Sequence, residues 1–253
     1  MYNITKTEFE ILINKGLKVS QIAEVLNISI STITRKLKSY NLWNAYKDIT
    51  VFDIIDTEEK AYWLGFIYAD GCINKHDYNN YRLQINLNSK DESHLKKFAA
   101  FISNKVKVVT KNNISRCYVQ NQHLCNTLIN LGCIPRKSCT LTFPLLSIFS
   151  NHNLVYDFIR GYVDGDGCIT YSNKTISKIS IIGTKEFLRC IMDLFPHCFS
   201  MTKDKRWKNN TYYIYTTNKQ SFLKVGNKIY GNATIALDRK LNRYKIGVLQ
   251  SNL

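Results

Sequence analysis

Apolar residues recur at helical spacing through the first 42 positions of the chain. Residues 5–16 (TKTEFEILINKG), 18–27 (KVSQIAEVLN) and 29–42 (SISTITRKLKSYNL) predict three short helices. Ile22, Ala23, Leu26, Ile28, Ile33 and Leu37 fall on one stripe of the last two. Ala23 allows a close helix crossing, Asn27 sits where a short polar side chain tolerates a left-handed turn, and Ser29 or Ser31 is placed to cap the third helix. Residues 43–56 (WNAYKDITVFDIID) lose the pattern and read as a linker with Trp43 and Phe52 as anchors. Beyond it, residues 81–88 alternate, with Leu83, Ile85 and Leu87 on one face and Arg82, Gln84, Asn86 and Asn88 on the other, which predicts a half-buried strand. Residues 178–181 alternate likewise, and 212–217 predict another strand. Helices are expected at 91–103, 185–195 and near 220–230, with Leu95, Phe98, Phe187, Leu188 and Ile191 in the core.

Two apolar runs are near copies: WLGFIYADGCI at 63–73 and IRGYVDGDGCI at 159–169 align without a gap. A duplicated segment implies a duplicated structural unit, and it sets Asp70 against Asp166 on a pseudo-twofold axis. Asp56, with Glu59 three positions on, predicts the start of the first helix. Gly71 and Gly167 predict left-handed ends. Gly65 and Gly161 lie mid-helix, where glycine costs about 1 kcal/mol relative to alanine. Close approach of two backbones explains that cost and puts the two helices side by side. Their acids then meet at helix C-termini, where the macrodipole disfavours negative charge and like charges repel. A divalent cation is the natural compensation, and Mg²⁺ suits one or two carboxylates plus water and phosphate oxygens.

Composition adds a partner class. The 253 residues contain 35 Lys and Arg against 19 Asp and Glu, a formal charge of +16, which points to a polyanion and first to nucleic acid. At 45% hydrophobic the chain is expected to bury a core without staples. No run is long and apolar enough for a membrane span, and MYNITKTEFE lacks a secretory apolar core, so an internal, non-membrane protein is expected. Eight scattered cysteines with no C-x-x-C pair predict buried free thiols in a reducing compartment. The five histidines are isolated, which leaves no visible zinc or HNH-type pocket.

The S-Q-I-A-E-V-L-N-I-S stretch resembles the helix-turn-helix of DNA-binding proteins, with Ser31, Thr32, Thr34, Arg35, Lys36 and Lys38 on or near the face of the recognition helix. The twin motifs W-L-G-F-I-Y-A-D-G and I-R-G-Y-V-D-G-D-G resemble the LAGLIDADG family of homing endonucleases. The likeness runs from residue 57 to about 245 and includes L-G-C-I-P-R-K-S at 131–138 and A-T-I-A-L-D-R-K at 233–240. It implies an α+β fold of two pseudo-symmetric αββαββα repeats, at 57–140 and 141–253, preceded by a small all-α helix-turn-helix domain at 1–42.

The implied activity is sequence-specific cutting of both strands of double-stranded DNA at a long site, by a monomeric, pseudo-dimeric chain using Mg²⁺ or Mn²⁺. Asp70 and Asp166 hold the metal, with Gly71 and Gly167 beside them, and each active site cuts one strand. Lys137 and Lys240 are the candidate basic catalytic residues, with Arg136 and Arg239 next to them on DNA, because they recur near equivalent repeat ends. Arg82, Gln84, Asn86, Arg116 and Lys178 are the candidate DNA-reading residues of the repeats. The sixth motif position is Tyr68 in one copy and Asp164 in the other, and Asp164 is expected to be peripheral to the chemistry. Two alternatives remain open: a transcription regulator on the same fold, which usually lacks the motif acids, and an intron RNA maturase. A start at Met1 and an L-Q-S-N-L end speak against intein origin.

Overall fold

The computed structural model describes residues 4–15, 17, 19–40, 42, 49–77, 80–135, 140–171, 177–204 and 210–251. It divides into two compact units, Met1–Asp48 and Ile49–Leu253. None of its described helices is long and apolar enough to cross a membrane.

The first unit holds α1 (Lys6–Asn14), α2 (Val19–Val25) and α3 (Ile30–Ser39). Thr5 and Glu8 form a reciprocal capping box on α1, and Ser29 caps α3 by accepting from the Thr32 amide at 3.3 Å. Asn27 takes the left-handed turn expected of it, with φ 48°. Ile22, Ile33 and Leu37 are fully buried together with Phe9 of α1, so the apolar stripe closes a small core.

The second unit runs α4 (Glu58–Asp70), β1 (Gly71–Asp77), β2 (Asn80–Asn88), α5 (Glu92–Ile102), β3 (Val108–Lys111), β4 (Ile114–Val119) and α6 (Gln122–Asn130). The order then repeats as α7 (Leu154–Asp166), β5 (Gly167–Thr170), β6 (Lys178–Gly183), α8 (Lys185–Leu194), β7 (Phe199–Lys203), β8 (Tyr212–Thr216) and α9 (Lys219–Tyr230), followed by α10 (Asp238–Ser251). Each half is the expected αββαββα, with antiparallel sheets ordered β1-β2-β4-β3 and β5-β6-β8-β7. Register follows the duplication: Gly71 pairs with Ile85 as Gly167 pairs with Ile181. Short β3 and β4 escape the periodicity reading, yet Asn112 and Asn113 both take positive φ (52° and 59°), the primed two-residue turn that an Asn pair favours.

On β2 the alternation holds: Leu83 and Ile85 are buried, while Asn86 and Asn88 are exposed. The five predicted core residues of α5 and α8 are all fully buried. Other expectations are corrected. Residues 49–56 belong to the second unit, where Phe52 is fully buried against Phe101 and Ile55 bridges to Phe149. Trp43 and the rest of 43–48 lie outside the described residues. Thr57, not Asp56, caps α4, because its extended backbone aims the hydroxyl at the Lys60 amide (3.3 Å); Asp56 binds the Lys60 ammonium instead (2.7 Å). Buried thiols are found at Cys117, Cys125, Cys133 and Cys198, whereas Cys72 and Cys168 are exposed at the start of their strands.

Candidate active site

The two motif helices meet through their glycines. A Cβ on Gly65 runs into the Phe158 carbonyl oxygen, and one on Gly161 into the Tyr62 carbonyl oxygen. Phe158 and Tyr62 are equivalent positions of the two motifs, so the contact maps onto itself under a local twofold, as the mid-helix glycines imply. Further along, Gly165 faces Ala69, and a Cβ on Gly165 lies 3.1 Å from Asp70 Oδ2. The Asp70 carboxylate therefore leans over the end of the opposite helix, beside Asp166.

Gly71 and Gly167 do not form left-handed caps. Their φ and ψ are −73°, 138° and −93°, 166°, extended values that lead each helix straight into a strand. Glycine is required there for space: a Cβ on Gly71 sits 2.6 Å from the Ile67 carbonyl oxygen, and one on Gly167 sits 2.5 Å from that of Val163. The abrupt change from helix to strand puts each acid on the rim between the helix pair and its sheet.

Both carboxylates act on the same two groups. The one proton of the Tyr162 hydroxyl is shared between the Ile182 carbonyl (3.0 Å) and the Asp166 carboxylate; burial first, then the charges of Asp166 and Asp70, push its pKa well above the usual tyrosine value. Phe66 holds the equivalent place in the first motif, so this hydroxyl serves one acid only. Lys240 is buried, with Nζ donating to the carbonyls of Val163 (2.7 Å), Asp164 (2.7 Å), Gly165 (3.1 Å) and Gly167 (2.6 Å). Burial lowers its pKa to about 8, against the opposing pull of Asp164, Asp70 and Asp166. Nζ has three protons for four acceptors, so Lys240 stands here as a cap on α7, engaged with carbonyls on both sides of Asp166.

The donor set suits a hard divalent cation. Two carboxylates converge, with Gly71 and Gly167 adjacent, and no cluster of three or more His, Cys, Asp or Glu occurs among the described residues. Such a set leaves room for water and phosphate oxygens, as Mg²⁺ and Mn²⁺ prefer, and lacks the thiolates and imidazoles of a zinc site. The Gly167 carbonyl already accepts from Lys240.

Asp164 is far from peripheral to the packing. It is buried and accepts from the Tyr62 hydroxyl (2.8 Å), the Tyr230 hydroxyl (2.6 Å) and the Leu237 amide (2.6 Å). Burial holds its carboxyl above the usual range, against these three bonds. Arg160, also buried, pairs with Glu58 (2.6 Å) and Asp157 (2.7 Å) and donates to the Ile229 and Ile235 carbonyls. Arg239 binds the Asp91 carboxylate at 3.0 Å. Arg136 and Lys137 lie outside the described residues.

Tyr62 gives its one proton to Asp164, so His94 Nε2, 2.8 Å away, is the donor in their bond. His94 Nδ1 is then the bare nitrogen, buried and without a hydrogen-bond partner among the described residues. Burial, then Lys97, lowers the His94 pKa from 6.5 to about 3. Below pH 6.5 the unfolded chain gains a proton that the folded one refuses, so stability falls with pH down to about 3. The loss from this group is about 2 kcal/mol between pH 7 and pH 5. His94→Gln keeps a donor for Tyr62 and does not titrate. Urea melts at the two pH values are expected to show a smaller pH difference in the variant by about that amount; equal differences contradict this assignment.

An open groove of about 680 Å³ extends from Asp166 and Gly167 over Ser180, Thr202, Lys203 and Tyr213 on the second sheet. Arg82, Gln84 and Asn86 lie on the face of β2 opposite the buried Leu83 and Ile85; Arg116 lies opposite Cys117 on β4, and Lys178 opposite Ile179 on β6. Arg82 stacks on Tyr118, with 4.8 Å from its guanidinium to the ring centre. In the first unit Ser31 and Arg35 are exposed on α3, and Thr32, Thr34, Lys36 and Lys38 share that helix. The sequence reading missed Tyr162, whose signal was the Phe66-to-Tyr162 difference between the motifs, and Lys203, which stands on a strand too short to show alternation.

Comparison with known proteins agrees with this geometry. Residues 63–131 match the LAGLIDADG endonuclease family and residues 153–230 the LAGLIDADG-like domain, together more than half of the chain. No curated protein matches the sequence. Among solved structures, the meganuclease I-AabMI bound to uncleaved DNA is similar at 14% identity and a TM-score of 0.54, over 76% of this chain and 89% of that one. The homing endonuclease I-LtrWI bound to target DNA is similar at 14% identity and a TM-score of 0.50, over 78% and 91%. With its two motif helices crossing at glycines, its paired acids and its twin αββαββα halves, this chain belongs to the LAGLIDADG endonuclease family.

Proposed function

We propose that the protein is a sequence-specific endonuclease that cuts both strands of a long double-stranded DNA site as a monomer, with Mg²⁺ or Mn²⁺ as cofactor. One observation carries the reading: two acids sit at the paired helix ends, each directly before the first strand of a sheet whose open face presents polar and basic side chains. Two sheets in one chain suit two half-sites, so a second copy is not needed.

Asp70 and Asp166 would hold the metal, with Gly71 and Gly167 next to them. A divalent cation bound there would lower the pKa of a water and offset charge on the departing oxygen. The chain's own residues place the scissile phosphates. Arg82, Gln84, Asn86, Arg116 and Lys178 read bases or grip the backbone; Arg136 and Arg239 contact phosphate, and Lys137 and Lys240 are the basic residues that offset charge at the scissile phosphates. Lys240 keeps positive charge next to Asp166 while fixing the end of α7. Helix α3 extends the recognised site through Ser31, Thr32, Thr34, Arg35, Lys36 and Lys38. The net charge of +16 supports steering toward DNA.

The test is selection of cleaved sites from a randomised duplex library with Mg²⁺. The expected outcome is one long consensus with staggered ends, and a variant carrying Arg35→Ala, Lys36→Ala and Lys38→Ala is expected to yield a shorter consensus cut with the same stagger. Recovery of bound but uncut sites favours the regulator reading instead. An unchanged consensus in the α3 variant removes that helix from recognition.

A further inference from the structure

Helices α7 and α10 cap each other. The Asp164 carboxylate on α7 accepts from the Leu237 amide (2.6 Å), the residue immediately before α10. A negative charge at that helix start is the favourable placement. In return Lys240, in the first turn of α10, sets its ammonium on the carbonyls of Val163, Asp164, Gly165 and Gly167 at the end of α7, where a cation is favoured. Two further donors, the hydroxyls of Tyr62 on α4 and Tyr230 on α9, complete the carboxylate's shell. Asp164 is thus fixed from three directions and in turn fixes the helix that carries Lys240.

The clamp acts on one acid. Gly165 and Gly167, both held by Lys240, flank Asp166, so its backbone is pinned on either side. The position equivalent to Asp164 in the first motif is Tyr68, whose hydroxyl makes one neutral bond, to the Leu131 carbonyl. We propose that Asp164 is a positioning residue for the Asp166 site, working through the reciprocal α7–α10 cap, and that its loss slows one DNA strand selectively. The inference rests on the endonuclease reading above.

Single-turnover cleavage of a selected site labelled on both strands, with the full chain and Mg²⁺, tests it. Asp164→Asn puts an amide group where the carboxylate meets donors, releasing Leu237 and the register of Lys240. The ratio of the two strand rates is expected to shift by about tenfold or more, within the range that small misplacements of catalytic groups produce, while DNA affinity changes less than about twofold. Tyr230→Phe removes one donor from the same carboxylate and is expected to shift the ratio in the same direction by less; it carries the test where Asp164→Asn does not fold. A merely structural Asp164 slows both strands alike, so an unchanged ratio in the folded variants overturns the proposal. A wild-type protein that cuts neither strand instead overturns the endonuclease reading, and the proposal falls with it.

Discussion

Asp70→Asn or Asp166→Asn is expected to abolish the double-strand break, with about a hundred- to thousandfold loss or more, the scale on which removal of one preorganised charge-stabilising group acts. The fold is expected to gain stability from the same changes. Asparagine keeps the shape but is a poor ligand for a hard divalent cation. It also removes a charge from a helix C-terminus, where each costs about 0.3–1 kcal/mol, and relieves repulsion between acids that lean on one helix end. Asp166→Asn still accepts from Tyr162, so local packing survives. Gel assays give the cutting rate, filter binding the DNA affinity, and urea melts the stability. The expected signature is a variant that binds as tightly as the parent, melts later and does not cut. A double variant that cuts at the parent rate removes these acids from the chemistry. A variant that binds and cuts less while melting earlier makes them structural.

Much of this was legible in the sequence because the relevant physics is local or repeated. The alternation of Leu83, Ile85 and Leu87 with polar residues follows from the two-residue period of a strand, and the glycines at 65 and 161 announced a backbone contact because nothing in a lone helix explains their cost. Helix and strand ends were less legible. Thr57 in place of Asp56 and the extended Gly71 and Gly167 depend on backbone angles that one composition allows in several ways. The shell of Asp164 was illegible for a different reason. Its donors come from Tyr62 and Tyr230 on two different helices and from Leu237 just before a third, all distant from Asp164 in sequence. The carbonyl partners of Lys240 were equally illegible, because a basic pair near a repeat end has the same composition whether or not it also caps a helix.

Gly161→Ala is expected to destabilise the second unit by about 2–3 kcal/mol, although alanine favours an isolated helix over glycine by about 1 kcal/mol. The new methyl group points at the Tyr62 carbonyl oxygen and the Phe66 amide, backbone atoms that cannot swing aside as a side chain would. Relief requires the two helices to separate along their contact, which also loosens the rings of Tyr62 and Phe66 packed beside it. Gly65→Ala meets the equivalent Phe158 carbonyl and Tyr162 amide and is expected to cost a similar amount. The double variant is expected to cost clearly less than the sum, because helices already parted by one methyl group admit the second more cheaply. Urea unfolding of the four proteins measures the cycle. Cleavage is expected to fall further than stability alone explains, since parting the helices moves Asp70 away from the Gly165 end of the opposite helix. A Gly161→Ala protein more stable than its parent contradicts the close crossing, and strictly additive costs contradict the shared contact on the local twofold.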